Sequence, residues 1–247
     1  MKPRRVDKHL FLYGYGKLGK LAEEIFNELD IPIAGIFDKD SITFGTSDNT
    51  LVAVCVASEP YYPIEKKLKE NGWDNVVPVY DIIEAYPEVG IRNGWFVGEG
   101  TKEDERGFIY VIERLNSFGS KMKYSAFVEW HDKREETEII LNTGKPCLDS
   151  TLAGIRDRQF VTSFYDAPMD KVEIHAEGYE IETIEGNMAL FQKHRPKIEV
   201  AVYHSKDGLW KIQKTLMDNL KDYVFEFKVY AYMGQGAYLI CTPEEKV

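Results

Sequence analysis

Apolar and polar residues follow two rhythms along this chain. The run His9-Leu10-Phe11-Leu12-Tyr13 is short and continuous, as a strand covered on both faces reads. Just past it, Leu18, Leu21, Ala22, Ile25, Phe26 and Leu29 recur at spacings of three and four. That spacing predicts a helix with one apolar stripe packed on a sheet. Further strands are predicted over Ile33 to Phe37, Leu51 to Val56 and around Val76 and Val77, with a helix from about Pro63 to Asn71. Strands alternating with helices imply a parallel sheet with right-handed crossovers.

From about Ile91 to Thr137 the helical rhythm takes over. Helices are predicted over Glu103 to Leu115 and Lys121 to Glu136, with Asn116-Ser117-Phe118-Gly119-Ser120 as the break between them. Tyr124, Phe127 and Val128 share a face, with Trp130 nearby, and read as packing; Lys133, Arg134, Glu135 and Glu136 read as a solvated charged end. This segment is expected to brace one domain against the other.

Beyond about Leu148 the strand-helix alternation returns. Strands are predicted over Gln159 to Tyr165 and Lys171 to Ala176, followed by a helix over Glu180 to Lys193 with Ile181, Ile184, Met188 and Phe191 on its packed stripe. Pro196 marks the exit from that helix, after His194 and Arg195. A strand over Ile198 to Tyr203 and a helix carrying Leu209, Ile212, Leu216 and Leu220 come next. Tyr223 to Tyr230 and Ala237 to Cys241 read as two closing strands joined through Met233-Gly234-Gln235-Gly236. The whole reads as an α/β protein of two small Rossmann-like parallel-sheet domains, residues 1–90 and 138–247, joined by a helical linker over 91–137.

Composition narrows the function classes. With 247 residues, 44% of them hydrophobic, the chain can bury a sizeable core. Its net charge of −10 is uninterrupted by a Lys/Arg stripe, which speaks against nucleic acid as a partner. The basic start, Lys2-Pro3-Arg4-Arg5, is not followed by the apolar stretch of a signal peptide, and no segment approaches the roughly 20 apolar residues that span a bilayer. Cys55, Cys147 and Cys241 are odd in number and far apart, which fits a reducing compartment. The expectation is a cytoplasmic protein with a small-molecule ligand and no nucleic acid or membrane partner.

Two constellations carry candidate chemistry. Gly14-Tyr15-Gly16-Lys17-Leu18-Gly19 lies between a predicted strand and helix, and Asp38 closes the next strand. In that context Gly14 permits the tight turn, Gly16 lets a pyrophosphate approach the backbone, Gly19 lets helix and strand pack closely, and Asp38 could hold a ribose hydroxyl pair. Equally, the glycines could serve only the turn and Asp38 only the polar loop it opens. The second constellation sets His175, Glu177, His204 and Asp207 at neighbouring strand ends, where ligands of open α/β sheets collect. Positions 173, 175 and 177 of a strand share a face, so His175 and Glu177 are expected to point the same way. Imidazole beside carboxylate is a serviceable general acid–base pair. Two histidines and two acids are also a donor set for a divalent ion, although no metal is assigned; the bland alternative is polar groups bonding loop backbones beside Trp210. His9, His131 and His194 read as solvent-facing or structural.

The string V-E-I-H-A-E-G-Y-E-I-E-T-I-E-G at 172–186, with H-R-P-K-I-E-V-A-V-Y-H-S-K-D-G-L-W at 194–210, resembles the FkbM-type S-adenosylmethionine-dependent O-methyltransferases. Asp222-Tyr223-Val224-Phe225 and Gly234-Gln235-Gly236-Ala237 continue the likeness. The family commonly has Lys-Ile-Asp where this chain has Glu173-Ile174-His175, and a branch with His there is similar too. Asn93-Gly94-Trp95-Phe96 and Arg134-Glu135-Glu136 resemble the segment that, in that branch, joins a nucleotide-binding-like domain to the methyltransferase domain.

The resemblance implies a cofactor held on the first three strands of the methyltransferase sheet. Only about 30 residues separate Glu136 from Asp166, the length of about one βαβ unit. The stretch Thr137 to Tyr165 shows no glycine turn of the required kind, and Asn142-Thr143-Gly144-Lys145-Pro146 reads as a plain loop. The second domain therefore reads as a truncated methyltransferase-like fold ending in an antiparallel strand pair. Leu12 and Tyr13 stand where methyltransferase turns carry an acid, so the N-terminal turn favours NAD or a nucleotide-sugar over S-adenosylmethionine. Three functions stay open: a reduced or non-catalytic relative that binds a nucleotide or sugar-like ligand; an active methyltransferase with an unusually assembled cofactor site, such as one across a dimer; a scaffold in a biosynthetic assembly. A sheet edge left by missing strands would need covering, by the first domain or in a homodimer.

Overall fold

The computed structural model describes residues 3–41, 49–90, 100–133, 136, 139–144, 164–205 and 207–247. Its first sheet contains β1 (His9–Tyr13), β2 (Ile33–Phe37), β3 (Thr50–Val54) and β4 (Val76–Pro78), all parallel, in the order β2-β1-β3-β4. The chain steps from β1 to one side and then crosses to the other, so strand order reverses between β1 and β3. Helix α1 (Lys17–Glu28) buries Leu18, Leu21, Ala22, Ile25 and Phe26, as the spacing predicts. Helix α2 (Tyr61–Glu70) precedes β4, and a short α3 (Val79–Ile83) follows Pro78 directly. All five residues of α3 are buried, so its sequence has no polar side to reveal a period.

Helix α4 (Lys102–Arg114) starts in a capping box: Asp104 N–H donates to the Thr101 hydroxyl, and Thr101 N–H donates to the Asp104 carboxylate at 2.8 Å. Helix α5 (Phe118–Lys133) begins earlier than its apolar stripe suggests. The segment read as a break is its N-terminal cap, where Ser117 Oγ accepts the Ser120 N–H at 3.1 Å. Tyr124, Phe127 and Trp130 are buried, packing on Phe227 and Tyr232 with ring centroids 5.1–5.9 Å apart.

The second sheet is mixed. It contains β5 (Lys171–Ile174), β6 (Lys197–Ala201), β7 (Tyr223–Val229) and β8 (Ala237–Pro243) in the order β5-β6-β8-β7. Strands β5 and β6 are parallel, and β8 lies antiparallel between β6 and β7. Helices α6 (Glu180–His194) and α7 (Lys211–Asn219) complete it. The architecture is α/β. The strand expected over Gln159 to Tyr165 lies almost wholly outside the described residues, as do Cys147 and Asn93-Gly94-Trp95-Phe96.

Edge strand β7 is covered by side chains. The N–H groups of Phe225, Phe227 and Val229, alternate residues on one edge, donate to Asn116 Oδ1 (2.6 Å), Ser120 Oγ (3.0 Å) and Asn142 Oδ1 (3.1 Å). Each bond removes a donor that another strand could capture.

The two sheets meet at their carboxyl ends. Tyr232 N–H, just after β7, donates to the Ala57 carbonyl, just after β3, at 2.8 Å. Glu136 bridges the same junction, accepting the Tyr61 N–H at 3.1 Å and the Met233 N–H. This corrects the reading of Glu136 as part of a solvated end: it is buried, because two backbone donors converge on its carboxylate. Burial pushes that carboxyl up to about 7, against the lowering pull of the Tyr61, Met233 and Gly234 N–H groups.

Candidate functional site

The glycine turn after β1 has definite constraints. Gly14 takes a φ of +91°, and a Cβ there would sit 2.6 Å from Val56 Cγ2. A Cβ on Gly19 would meet the Gly14 carbonyl oxygen at 2.3 Å, so helix and turn touch through backbone. Gly16, the residue before α1, has open space where its Cβ would be. Asp38, past β2, uses Oδ1 to accept the Asp40 N–H at 3.0 Å and the Ser41 hydroxyl at 3.1 Å, which closes its own loop.

At the carboxyl end of the second sheet, β5 stops at Ile174, two residues before the sequence predicts. His175 and Glu177 thus stand in the turn to α6 and owe nothing to strand alternation. Tyr179 N–H donates back to the Ala176 carbonyl at 3.1 Å, and Glu177 and Gly178 both adopt positive φ, 48° and 98°. Such a conformation costs a residue with a Cβ about 1–2 kcal/mol. Here it brings the Glu177 carboxylate to His175, Oε1 to Nε2 at 3.0 Å.

His204, three residues past β6, lies against the same carboxylate. Its Nε2 is 3.7 Å from Glu177 Oε2, and its ring centroid is 4.5 Å from that of His175. Its other nitrogen, Nδ1, is 2.7 Å from Glu180 Oε1. Glu180, in the first turn of α6, also accepts the Ala176 N–H at 2.9 Å and the Gly178 N–H at 3.0 Å. Burial raises the Glu180 carboxyl, but His204 and the backbone donors outweigh it, and the group stays below its ordinary value. His175 Nδ1 in turn lies 2.8 Å from the Tyr238 hydroxyl on β8. Each imidazole is therefore anchored through Nδ1 and presents Nε2 to Glu177.

The structure brings His175, Glu177 and His204 together and leaves Asp207 to another task. Its carboxylate pairs with Lys211 Nζ at 2.5 Å, and its carbonyl accepts the Trp210 and Lys211 N–H groups ahead of α7. Sequence reading missed Glu180 and Tyr238. Glu180 looks like an ordinary helix-start acid, and Tyr238 like one more aromatic residue of a buried strand. His194 is partnered by Asp166 at 2.7 Å and His9 is exposed; the side chain of His131 lies outside the description.

The Glu177 carboxylate lies within electrostatic reach of Tyr80 on α3, which follows the last strand of the first sheet. Burial, and next the Glu177 carboxylate, hold the Tyr80 phenol of α3 above its usual range. Gln235 is buried in the junction, where its side chain is a hydrogen-bond partner of the Tyr80 phenol. No helix among the described residues is long and apolar enough to cross a membrane.

This is an α/β protein of methyltransferase-like fold. No family model and no curated protein matches the chain. Among solved structures it is similar to the methyltransferase FkbM from Methylobacillus flagellatus KT, with a TM-score of 0.54 and 12% identity over 96% of this chain and 90% of that one. The likeness is one of fold.

Proposed function

We propose that this chain is a methyltransferase-fold protein without the usual S-adenosylmethionine-binding strands. On this reading it binds a nucleotide or sugar-like small molecule where the carboxyl ends of its two sheets meet. The observation that carries the proposal is the convergence of His175, Glu177, Glu180 and His204 on that junction, each ring held through Nδ1. A histidine so held can take or give a proton at Nε2, the role of an acid–base group beside a bound hydroxyl. The length of the stretch 134–170 supports the absence of the cofactor strands, since it is shorter than two βαβ units of roughly 30 residues each. The space at Gly16 and the strand-order reversal beside it support a nucleotide or NAD-like ligand at the first sheet, with residues 1–90 as a Rossmann-like binding domain. A homodimer would use β5, which among the described residues pairs with a strand on one side. Calorimetry with UDP-sugars and NAD tests the reading: saturable binding lost in His204→Ala supports it, and heats absent at millimolar ligand reject it.

The name of the structural neighbour favours a second reading, an active O-methyltransferase whose cofactor site is assembled from unusual parts. Saturable S-adenosylmethionine binding in the same calorimeter would establish it in place of the first.

A further inference from the structure

The geometry points to a divalent transition-metal site formed by His175 Nε2, His204 Nε2 and the Glu177 carboxylate. This deepens the proposed function and rests on its reading of the same cluster as the working site. One donor atom from each of the three residues lies within 4.8 Å of those from the other two. Ligands of a tetrahedral ion at bonds of about 2.0–2.2 Å sit roughly 3.3–3.6 Å apart. The His175–Glu177 and His204–Glu177 separations, 3.0 and 3.7 Å, bracket that spacing.

Chemistry favours a cation over a chance cluster. In the neutral tautomer whose Nδ1–H donates to the Glu180 carboxylate, His204 turns the Nε2 lone pair toward a Glu177 oxygen. Two acceptors then face each other, and a cation between them satisfies both. His175 has the same arrangement in the tautomer whose Nδ1–H donates to the Tyr238 hydroxyl, which leaves Nε2 as the lone pair aimed at Glu177. Metal-ligating histidines characteristically donate their second ring N–H to a carboxylate, carbonyl or similar acceptor that fixes tautomer and ring angle. Glu180 and Tyr238 stand in those positions.

The donor set selects the ion. Two imidazoles and one carboxylate suit zinc, cobalt or iron(II), whereas magnesium and calcium take oxygen ligands. Three protein ligands leave a position open, and His175 and Glu177 are partly exposed, so a substrate oxygen or a water can enter it. The competing account makes His204 an imidazolium clamped between two carboxylates, with no affinity for metal.

The test uses the untagged full chain, stripped with chelator and titrated with zinc by calorimetry and with cobalt by visible absorption. One zinc per chain at micromolar affinity or tighter, with the absorption of low-coordinate cobalt, is the expected result. His175→Ala, at the partly exposed ligand, and His204→Ala should each abolish binding. Glu180→Gln should weaken it about 10–100-fold. Absence of saturable zinc binding at 1 mM, or binding unchanged in a folded His175→Ala chain, overturns the site. The functional reading fails separately: nucleotide or sugar binding by chelator-treated protein would survive loss of the metal, and zinc binding without either ligand would do the reverse.

Discussion

The Glu180 carboxylate and the His204 imidazole meet at 2.7 Å with neither residue more than 3% exposed, although 24 positions separate them. The pair ties the start of α6 to the end of β6 and thereby sets where His204 Nε2 points. Glu180→Ala leaves the buried His204 Nδ1–H without its acceptor, at a cost of about 1–3 kcal/mol. Glu180→Ala also strips the Ala176 and Gly178 N–H groups of their acceptor. Urea unfolding should register a loss in that range. Because the Glu180 carboxyl is held below its ordinary value, the stabilisation is present above that value and is lost as pH falls through the folded one. The acid limb of wild-type stability should therefore flatten in Glu180→Gln.

Glu136 carries the opposite sign. Its carboxyl rises from 4.5 to about 7 on folding, so between those values the folded chain binds the extra proton. Stability from this group is full below about 4.5 and declines as pH climbs through 7, by on the order of 3 kcal/mol. Urea midpoints at pH 5 and pH 8 check this. The difference between them should shrink in Glu136→Gln, and an equal difference in both chains would refute the assignment.

Much of the fold is legible in the sequence, and the site only in part. The first two strands stand at their expected residues, His9–Tyr13 and Ile33–Phe37, because each apolar run is too short for a helix and is bounded by turn residues. Glu136 and Glu180 are not legible in the same way. Each is a charged residue where solvation is the ordinary fate; Glu136 is buried because backbone donors from two distant segments close around it, and Glu180 because the N–H groups of its own preceding turn and the distant His204 do so. His175 and Glu177 do face the same space, but through a left-handed turn that a strand period cannot foresee.

A packing prediction concerns Gly107 on α4. A Cβ there would lie 2.4–2.7 Å from Trp210 ring atoms, and the ring is fixed by its Nε1–H bond to Asp104 at 2.8 Å. Overpacking costs about 1–3 kcal/mol, against a gain of about 1 kcal/mol in helix propensity. Gly107→Ala should lower the melting temperature by a few degrees. A rise would mean that Trp210 yields.

Gly16 offers a variant that separates binding from folding. Its Cβ position is open, and Asp is a favoured residue ahead of a helix, so Gly16→Asp should keep wild-type stability. The added carboxylate would repel a pyrophosphate approaching α1. Nucleotide binding should fall at least tenfold with no change in the melting curve of the ligand-free protein.

The most direct measurement is a thermal-shift titration with UDP-sugars, NAD, S-adenosylmethionine and S-adenosylhomocysteine, on the wild-type chain and on His204→Ala. A ligand at 100 times its dissociation constant adds about 2.7 kcal/mol, which is plainly visible as a higher melting temperature. The account predicts a rise with a nucleotide ligand that His204→Ala removes, and no response to the methionine cofactors. A response to S-adenosylmethionine alone, or silence with every ligand, would contradict it.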